Sequence, residues 1–207
     1  MSRVVYLHGF ASGPGSKKAR FFRERFAELG IGLEVPDLAE GNFRALTLTG
    51  QLRVIERVSR GEPVTLMGSS LGGYLAALYA ARHPEVERLV LMAPAFCFLK
   101  RWSSSVGADA MERWRTSGWM EVFHYGAGGR VPLGYQLIED AARYEDYPGV
   151  IQPALIFHGK NDASVPSEYS VAFAEKHANV KLHLMDSDHE LLNVLDDMWM
   201  ETRAFLF

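Results

Sequence analysis

The sequence predicts an α/β fold, with a mostly parallel sheet of about six strands flanked by helices. Short runs rich in Val, Ile and Leu alternate with longer amphipathic runs, and this alternation is typical of strand–helix–strand units. The apolar runs are nearly continuous, as expected for strands buried on both faces. A chain of 207 residues is long enough for one domain with a full core.

Each predicted strand is a short apolar run, and most are followed by a helical pattern. The first helix begins at Ser16, a suitable N-cap, and ends at Gly30. The second strand contains Pro36, which predicts an edge position or an early stop. The predicted strands cover residues 4–9, 33–38, 64–68, 89–92, 154–159 and 180–185. The predicted helices cover residues 16–29, 45–59, 71–82, 167–177 and 191–205.

The alternation stops between about residue 97 and residue 150. This segment has no clear strand pattern and holds three of the four tryptophans, Trp102, Trp114 and Trp119. It is too long for a simple connection, so we expect helices of its own that form a small cap or lid over one end of the sheet. We treat this cap as an insertion in a single domain that spans residues 1–207.

Composition and charge exclude several classes of function. The net charge of −3 and the pI near 6.2 leave no basic footprint, which argues against a nucleic-acid partner. One cysteine, Cys97, allows neither an intrachain disulfide nor a metal site built on several thiolates. The sequence lacks an apolar run of about 18 residues and a signal-peptide pattern. We therefore expect a cytoplasmic protein without a membrane span; its oligomeric state is not indicated.

The segment GSSLGG, residues 68–73, joins a predicted strand to a predicted helix. It fits the pattern G-x-S-x-G with Ser70 at the centre, whereas centring on Ser69 would put the bulky Met67 and Leu71 at the outer positions. A nucleophile on so tight a turn needs small residues on both sides, because a Cβ there would clash. The alternative is a glycine-rich turn without chemistry or a phosphate cradle, although neither the dinucleotide nor the P-loop pattern fits.

A serine nucleophile needs a base and an acid, which in this topology follow it in the chain order acid, then histidine. Asp162 comes just after the strand predicted at 154–159, and His189 comes just after the last strand. Both would reach the sheet edge that carries Ser70, so we predict a Ser70–Asp162–His189 triad. Taken singly, each also fits a structural role, Asp162 in a turn and His189 as a helix cap.

Two backbone N–H groups are predicted to form the oxyanion hole, those of Leu71 and Phe10. Gly9 would let the loop after the first strand approach closely. His8 is expected to orient this loop. His158, just before the loop of the predicted acid, is expected to support the site rather than act in it.

The other charged residues near these motifs have simpler interpretations. Asp186 and Asp188 are rival acids, but Asp188 is adjacent to the predicted base and is expected to point elsewhere. Lys17, Lys18 and Arg20 open the first helix and would suit an anionic substrate tail. A solvated helix face is the favoured interpretation for these three.

Aromatic residues are the predicted walls of the substrate pocket. Substrate binding is predicted for Phe10, Phe96, Phe98 and Trp102 beside Leu71. They suggest a small-molecule ester or thioester with an apolar acyl or aryl part. The alternative is that the tryptophans only give the cap its core.

Four motifs together resemble the serine α/β-hydrolase superfamily, and in particular its small predicted bacterial esterases. They are HGF, GSSLGG, HGKNDASVP and SDHEL, which begin at His8, Gly68, His158 and Ser187. The resemblance covers nearly the whole chain except the middle insertion. It implies an α/β-hydrolase fold and the hydrolysis of carboxylic esters or thioesters through an acyl-enzyme, without metal or organic cofactor.

Two departures from the superfamily pattern qualify the resemblance. The chain begins at the strand expected to be third in the full fold, so a pared-down sheet is expected. The cap carries no motif of the superfamily. Acyl transfer, cleavage of an amide or C–C bond, and non-catalytic ligand binding on the same scaffold are the alternatives.

Overall fold

The computed structural model describes residues 3–207 and contains a six-stranded parallel sheet with helices on both faces. Two short 3₁₀ turns, Phe43–Ala45 and Leu192–Val194, complete the regular structure. In chain order the elements are β1 (Arg3–Leu7), α1 (Lys17–Glu28), β2 (Leu33–Glu34), α2 (Leu48–Ser59), β3 (Val64–Ser69), α3 (Leu71–Ala80), β4 (Val86–Met92), α4 (Phe98–Val106), α5 (Ala108–Ser117), β5 (Trp119–His124), β6 (Gly129–Gly134), α6 (Gln136–Ala141), β7 (Ala154–Gly159), α7 (Glu168–Ala174), β8 (Val180–Met185) and α8 (Leu195–Leu206).

The strand order in the main sheet is β2-β1-β3-β4-β7-β8, and every neighbouring pair is parallel. The predicted fold class is therefore confirmed. Leu7 at the end of β1 lies opposite Gly68, and Met92 at the end of β4 lies opposite Ser69. Because parallel strands share a direction, the loops after these strands meet at one carboxyl edge.

Side chains alternate across the sheet and form a core on each face. Val5 and Leu7 of β1 pack on the face covered by α2 and α3, whereas Val4 and Tyr6 pack on the face covered by α1 and α8. All ten residues of α3 are buried. No helix within residues 3–207 is long and apolar enough to cross a membrane.

Most element boundaries agree with the sequence prediction. Ser16 caps α1 by accepting a hydrogen bond from the Ala19 N–H, and Gly30 follows the helix in a left-handed conformation. β2 is an edge strand, as predicted, but it ends at Glu34 and not at Leu38, because Pro36 cannot donate to a neighbouring strand. β4 begins earlier than predicted, at Val86, because the polar pair after Val86 hides the start of the strand.

The segment between β4 and β7 contains the expected helices, α4, α5 and α6, and also an antiparallel hairpin of β5 and β6 that the sequence did not predict. The pattern was hidden because β5 exposes Trp119 and Phe123 on its outer face, and β6 contains Pro132. The indole N–H of Trp114 donates to the Leu133 carbonyl over 3.0 Å and ties α5 to β6. The cap or lid role of this segment stays a prediction.

The turn from β3 to α3 brings three backbone segments into contact. A Cβ on Gly68 would overlap the backbone of Gly72, and a Cβ on Gly72 would overlap the carbonyl oxygens of Leu7 and His8. Because both contacts are with backbone, no rotamer change could relieve them. The two glycines therefore let α3 start directly against the end of β1.

Gly72→Ala should destabilise the fold by about 3 kcal/mol, because the added methyl must displace the backbone at the end of β1. Urea unfolding measures this difference. Gly32→Ala is the matched control: its Cβ would meet no atom within 4 Å, so its stability should change by less than about 1 kcal/mol. Equal stability of the two variants would contradict the close approach at Gly72.

Candidate active site

Ser70 has a positive φ of 53°, with ψ −118°, at the start of α3. Its N–H donates to the Met92 carbonyl over 2.8 Å. Its own carbonyl accepts from the N–H groups of Gly73, Tyr74 and Ala95 at 3.0, 3.1 and 3.0 Å. A positive φ is strained for a serine and persists only where the surroundings fix the backbone, as these four hydrogen bonds do.

The structure brings the three predicted triad residues together in one hydrogen-bonded series. His189 Nε2 lies 3.1 Å from Ser70 Oγ, and His189 Nδ1 lies 2.6 Å from Asp162 Oδ2. A carboxylate oxygen only accepts, so the proton of the neutral imidazole is placed on Nδ1. Nε2 is then free to accept the Ser70 hydroxyl proton, which is the tautomer that general-base chemistry requires.

Asp162 is buried, and its carboxylate accepts hydrogen bonds from several neighbouring groups. Its Oδ1 accepts from the backbone N–H groups of Ser164 and Val165 at 2.8 and 2.7 Å. Burial acts to raise the pKa of Asp162, but hydrogen bonds from His158, His189 and Val165 outweigh it and hold this pKa well below its usual range. Asp162 therefore stays ionised beside His189.

Close backbone contact joins the loops that carry Asp162 and His189. A Cβ on Gly159, the last residue of β7, would overlap the carbonyl oxygens of Ser187 and Asp188. The Asn161 N–H donates to the Ser187 carbonyl over 3.0 Å. Gly159, in the HGKND motif, thus lets the two loops meet. Sequence reasoning missed this role, although the position of the glycine at a strand end could have indicated it.

The rival acids are engaged in other contacts. Asp188 Oδ1 accepts from the N–H groups of Glu190 and Leu191 at 2.9 and 3.3 Å, so it stabilises the turn after His189. Asp186 Oδ1 accepts from the side-chain amide of Asn161 over 3.2 Å. Neither carboxylate has a hydrogen bond to the imidazole.

The loop after β1 lies directly against Ser70. A Cβ on Gly9 would lie 3.3 Å from Ser70 Cβ. His8 Nε2 accepts from the Leu38 N–H over 3.1 Å, so its Nδ1 carries the proton that faces the Gly9 carbonyl at 3.0 Å. Burial lowers the pKa of His8, which favours this neutral form. Because the N–H of a peptide points opposite its C=O, fixing the Gly9 carbonyl also fixes the direction of the Phe10 N–H.

Lys18 of α1 reaches the turn that carries the predicted base. It is half-buried, and its Nζ donates to the Glu190 carbonyl over 2.8 Å. Burial lowers the pKa of Lys18 to about 8, against the opposing charges of Glu190 and Asp162. Lys17 and Arg20 are exposed, as a solvated helix face predicts, but that prediction does not describe Lys18.

Trp102 contacts two of the other three predicted pocket residues, Phe10 and Phe98. The ring centroids of Phe10 and Trp102 lie 4.7 Å apart, and those of Phe98 and Trp102 lie 5.5 Å apart. Phe96 is separate: it is fully buried and stacks on Phe173 at 4.2 Å, as a core residue does. Phe43, which no motif singled out, joins the group through a 5.4 Å contact with Phe10. We call Phe10, Phe43, Phe98 and Trp102 the aromatic cluster.

A metal site is not formed by the described part of the chain. Within residues 3–207, no group of three or more His, Cys, Asp or Glu side chains is placed to hold a metal ion. Cys97 is buried and forms no disulfide.

Comparisons with known proteins identify the family of this chain. A family model described as an uncharacterised protein family, UPF0227, matches residues 3–206. The mitochondrial palmitoyl-protein thioesterase ABHD10 of Rattus norvegicus is 26% identical in an alignment of 215 positions that covers 93% of this chain and 70% of that protein.

Solved structures show the same fold. Alpha/beta hydrolase domain-containing protein 10 from mouse matches with a TM-score of 0.82 at 21% identity, over 98% of this chain and 88% of that one. Est1E from Butyrivibrio proteoclasticus matches with a TM-score of 0.75 at 21% identity, over 99% and 86%. The chain therefore has the fold of the α/β hydrolases and belongs to the family UPF0227.

Proposed function

We propose that this protein is a serine hydrolase that cleaves carboxylic esters or thioesters through an acyl-enzyme, with Ser70 as nucleophile, His189 as base and Asp162 as acid. The observation that carries the proposal is the hydrogen-bonded series from Ser70 Oγ to His189 Nε2 at 3.1 Å and from His189 Nδ1 to Asp162 Oδ2 at 2.6 Å. Each residue has the partner that its role needs.

In the first step His189 Nε2 takes the Ser70 proton as Ser70 Oγ attacks the carbonyl carbon. The negative charge that develops on the carbonyl oxygen faces two N–H groups, that of Phe10 in the loop after β1 and that of Leu71 at the start of α3. The dipole of α3 also favours this negative charge. The protonated imidazole then gives its proton to the departing alcohol or thiol. In the second step water loses a proton to His189 as its oxygen attacks the acyl carbon. His189 then gives that proton to Ser70 Oγ as the bond to the acyl group breaks and the acid is released.

The acyl part of the substrate is proposed to be apolar. The aromatic cluster supports this, because Phe10 is both a member of the cluster and a proposed oxyanion donor. A thioester is supported by the relation to the rat thioesterase, which is 26% identical. The reaction class is therefore proposed as that of ester and thioester hydrolases. A cytoplasmic location stays a prediction, and the rat relative is described as mitochondrial.

Two alternatives use the same scaffold. Acyl transfer to another acceptor, or cleavage of an amide or C–C bond, would use the same triad, and product analysis with a competing alcohol separates transfer from hydrolysis. A non-catalytic ligand-binding protein would bind an ester without turnover. The complete Ser70–His189–Asp162 series favours an enzyme over the binding protein.

Ser70→Ala should lower the turnover of p-nitrophenyl butyrate by about a thousandfold or more, since only binding and the oxyanion hole would remain. Ser69→Ala is the matched control, because Ser69 is the adjacent serine but is a strand residue outside the series. It should keep activity of the wild-type order. A fluorophosphonate probe should label Ser70, and His189→Ala should abolish labelling. Wild-type turnover by Ser70→Ala would refute the assignment.

Asp162→Asn should remove a contribution to stability that depends on pH. The pKa of Asp162 is lowered by folding, so its carboxylate stabilises the fold above its unfolded pKa of about 3.9, and this contribution is lost as pH falls below that value. The difference in unfolding free energy between wild type and variant should be constant above about pH 5 and should shrink below about pH 4. Urea unfolding at several pH values measures it.

The control for that experiment is Asp197→Asn, at an exposed aspartate in the first turn of α8. Its difference from wild type should change much less with pH. A difference for Asp162→Asn that stays flat down to about pH 3 would contradict a lowered pKa.

Lengthening the acyl chain from acetyl to hexanoyl should raise kcat/KM by up to about fourfold per methylene buried against the aromatic cluster. Trp102→Ala should flatten this dependence, because it removes the central ring of the cluster. Trp119→Ala, at a half-exposed tryptophan of β5 outside the cluster, should leave it unchanged. The ratio of kcat/KM between two esters is the readout, since it does not depend on the active fraction. An equal slope in all three proteins would contradict the pocket assignment.

A further inference from the structure

His158, the penultimate residue of β7, is a buried histidine that the proposed reaction does not use. Its side chain is fully buried. His158 Nδ1 lies 2.7 Å from the Ser170 hydroxyl of α7. His158 Nε2 lies 2.8 Å from the Val165 carbonyl oxygen and 3.2 Å from Asp162 Oδ2. Every polar atom of this ring therefore has a partner.

The partners decide where the ring carries a proton. The carbonyl oxygen of Val165 can only accept, and so can the ionised carboxylate of Asp162. His158 Nε2 must therefore be a donor; its N–H bonds to the Val165 carbonyl, and the same nitrogen lies 3.2 Å from Asp162 Oδ2. The Ser170 hydroxyl can either donate to Nδ1 or accept from it, so it places no further demand on the ring.

With His158 included, the hydrogen bonding of Asp162 is complete. A carboxylate offers about four lone-pair sites. Oδ1 accepts from Ser164 N–H and Val165 N–H, and Oδ2 lies between the two imidazoles of His189 and His158. A carboxylate held on both oxygens cannot rotate about its Cβ–Cγ bond, so Oδ2 stays in the plane that meets His189 Nδ1.

We propose that His158 is a positioning residue of the triad: its Nε2–H fixes the Asp162 carboxylate toward His189 and takes up part of its negative charge. The inference rests on the proposed function. The contact with His158 makes the Asp162 carboxylate less basic. When the imidazolium forms, the proton between His189 Nδ1 and Asp162 Oδ2 therefore stays on His189. The lowered pKa of Asp162 agrees with this arrangement, because the hydrogen bond from His158 opposes the effect of burial.

The groups that face Asp162 come from four elements, and only one of them changes in the test. His189 approaches from the loop after β8, and His158 from β7. Lys18 of α1 and Arg101 of α4 act on Asp162 through their charges. Loss of the His158 donor leaves those charges in place and exposes His189 to a stronger negative potential. The acid limb of kcat/KM should then move to higher pH.

Two variants separate the donor from the bulk of the side chain. The amide of His158→Gln reaches the position of Nε2 and keeps a donor toward Asp162, whereas the shorter amide of His158→Asn reaches only the position of Nδ1 beside Ser170. Ser170→Ala removes the partner of Nδ1 alone. Activity is measured with p-nitrophenyl butyrate at a wavelength where the phenol and its anion absorb equally, and it is normalised to active sites titrated with a fluorophosphonate.

His158→Asn should lower kcat about tenfold or more, with little change in KM, and should move the acid limb to higher pH. His158→Gln should recover most of kcat and should restore the acid limb of kcat/KM to its wild-type pH. Ser170→Ala should have the kcat and the pH profile of the wild type. A wild-type kcat and pH profile in His158→Asn would overturn the inference, and so would equal losses in the Asn and Gln variants. Ser70→Ala is assayed in parallel: if it retains turnover, the proposed function fails, whereas its inactivity beside an unaffected His158→Asn removes only the role of His158.

A second measurement does not need His158→Asn to fold. In ¹⁵N-histidine spectra of the wild type, His158 Nε2 should be protonated and slow to exchange. Its resonance should move in Asp162→Asn, where the ionised acceptor is lost. An unprotonated Nε2, or a resonance that does not respond to Asp162→Asn, would overturn the inference.

Discussion

Close backbone packing at the carboxyl edge of the sheet is the constraint on which the rest of this site depends. Three glycines make it possible, because a Cβ at Gly68, Gly72 or Gly159 would overlap backbone atoms of a neighbouring segment. Gly72 sets α3 against the end of β1, and Gly159 sets the loop after β7 against the loop after β8. The strained φ of Ser70 survives because its N–H and carbonyl are both held within this packing.

The second constraint is the burial of the Asp162 carboxylate, whose charge is stabilised because hydrogen-bond donors surround both of its oxygens. Asp162 is placed where desolvation opposes its ionisation, yet two backbone N–H groups and two imidazoles surround it. The same loop therefore supplies the acid and two of the four groups that keep it charged. An isolated aspartate at this depth would take up a proton and lose its hold on His189.

The sequence predicted the parts of this fold that follow from local rules. Alternating apolar runs gave the six strands, and the order of Ser70, Asp162 and His189 at strand ends placed all three at one edge because parallel strands end together. The hairpin of β5 and β6 was not predictable in this way, since the exposed rings of Trp119 and Phe123 remove the polar alternation of a half-buried strand. Contacts across long separations in sequence, such as that between Lys18 and the Glu190 carbonyl, leave no local pattern and needed the structure.

The aromatic cluster links the proposed substrate pocket to the proposed chemistry through a single residue. Trp102 packs edge-on against Phe10, and Phe43 packs on Phe10 as well. The backbone N–H of Phe10 is the proposed oxyanion donor, while His8 fixes the preceding carbonyl. An acyl chain that packs on Trp102 would therefore press on the ring of the residue whose N–H must meet the oxyanion. Recognition of the acyl chain and stabilisation of the transition state would then share one loop, so that a well-fitting chain favours turnover as well as binding.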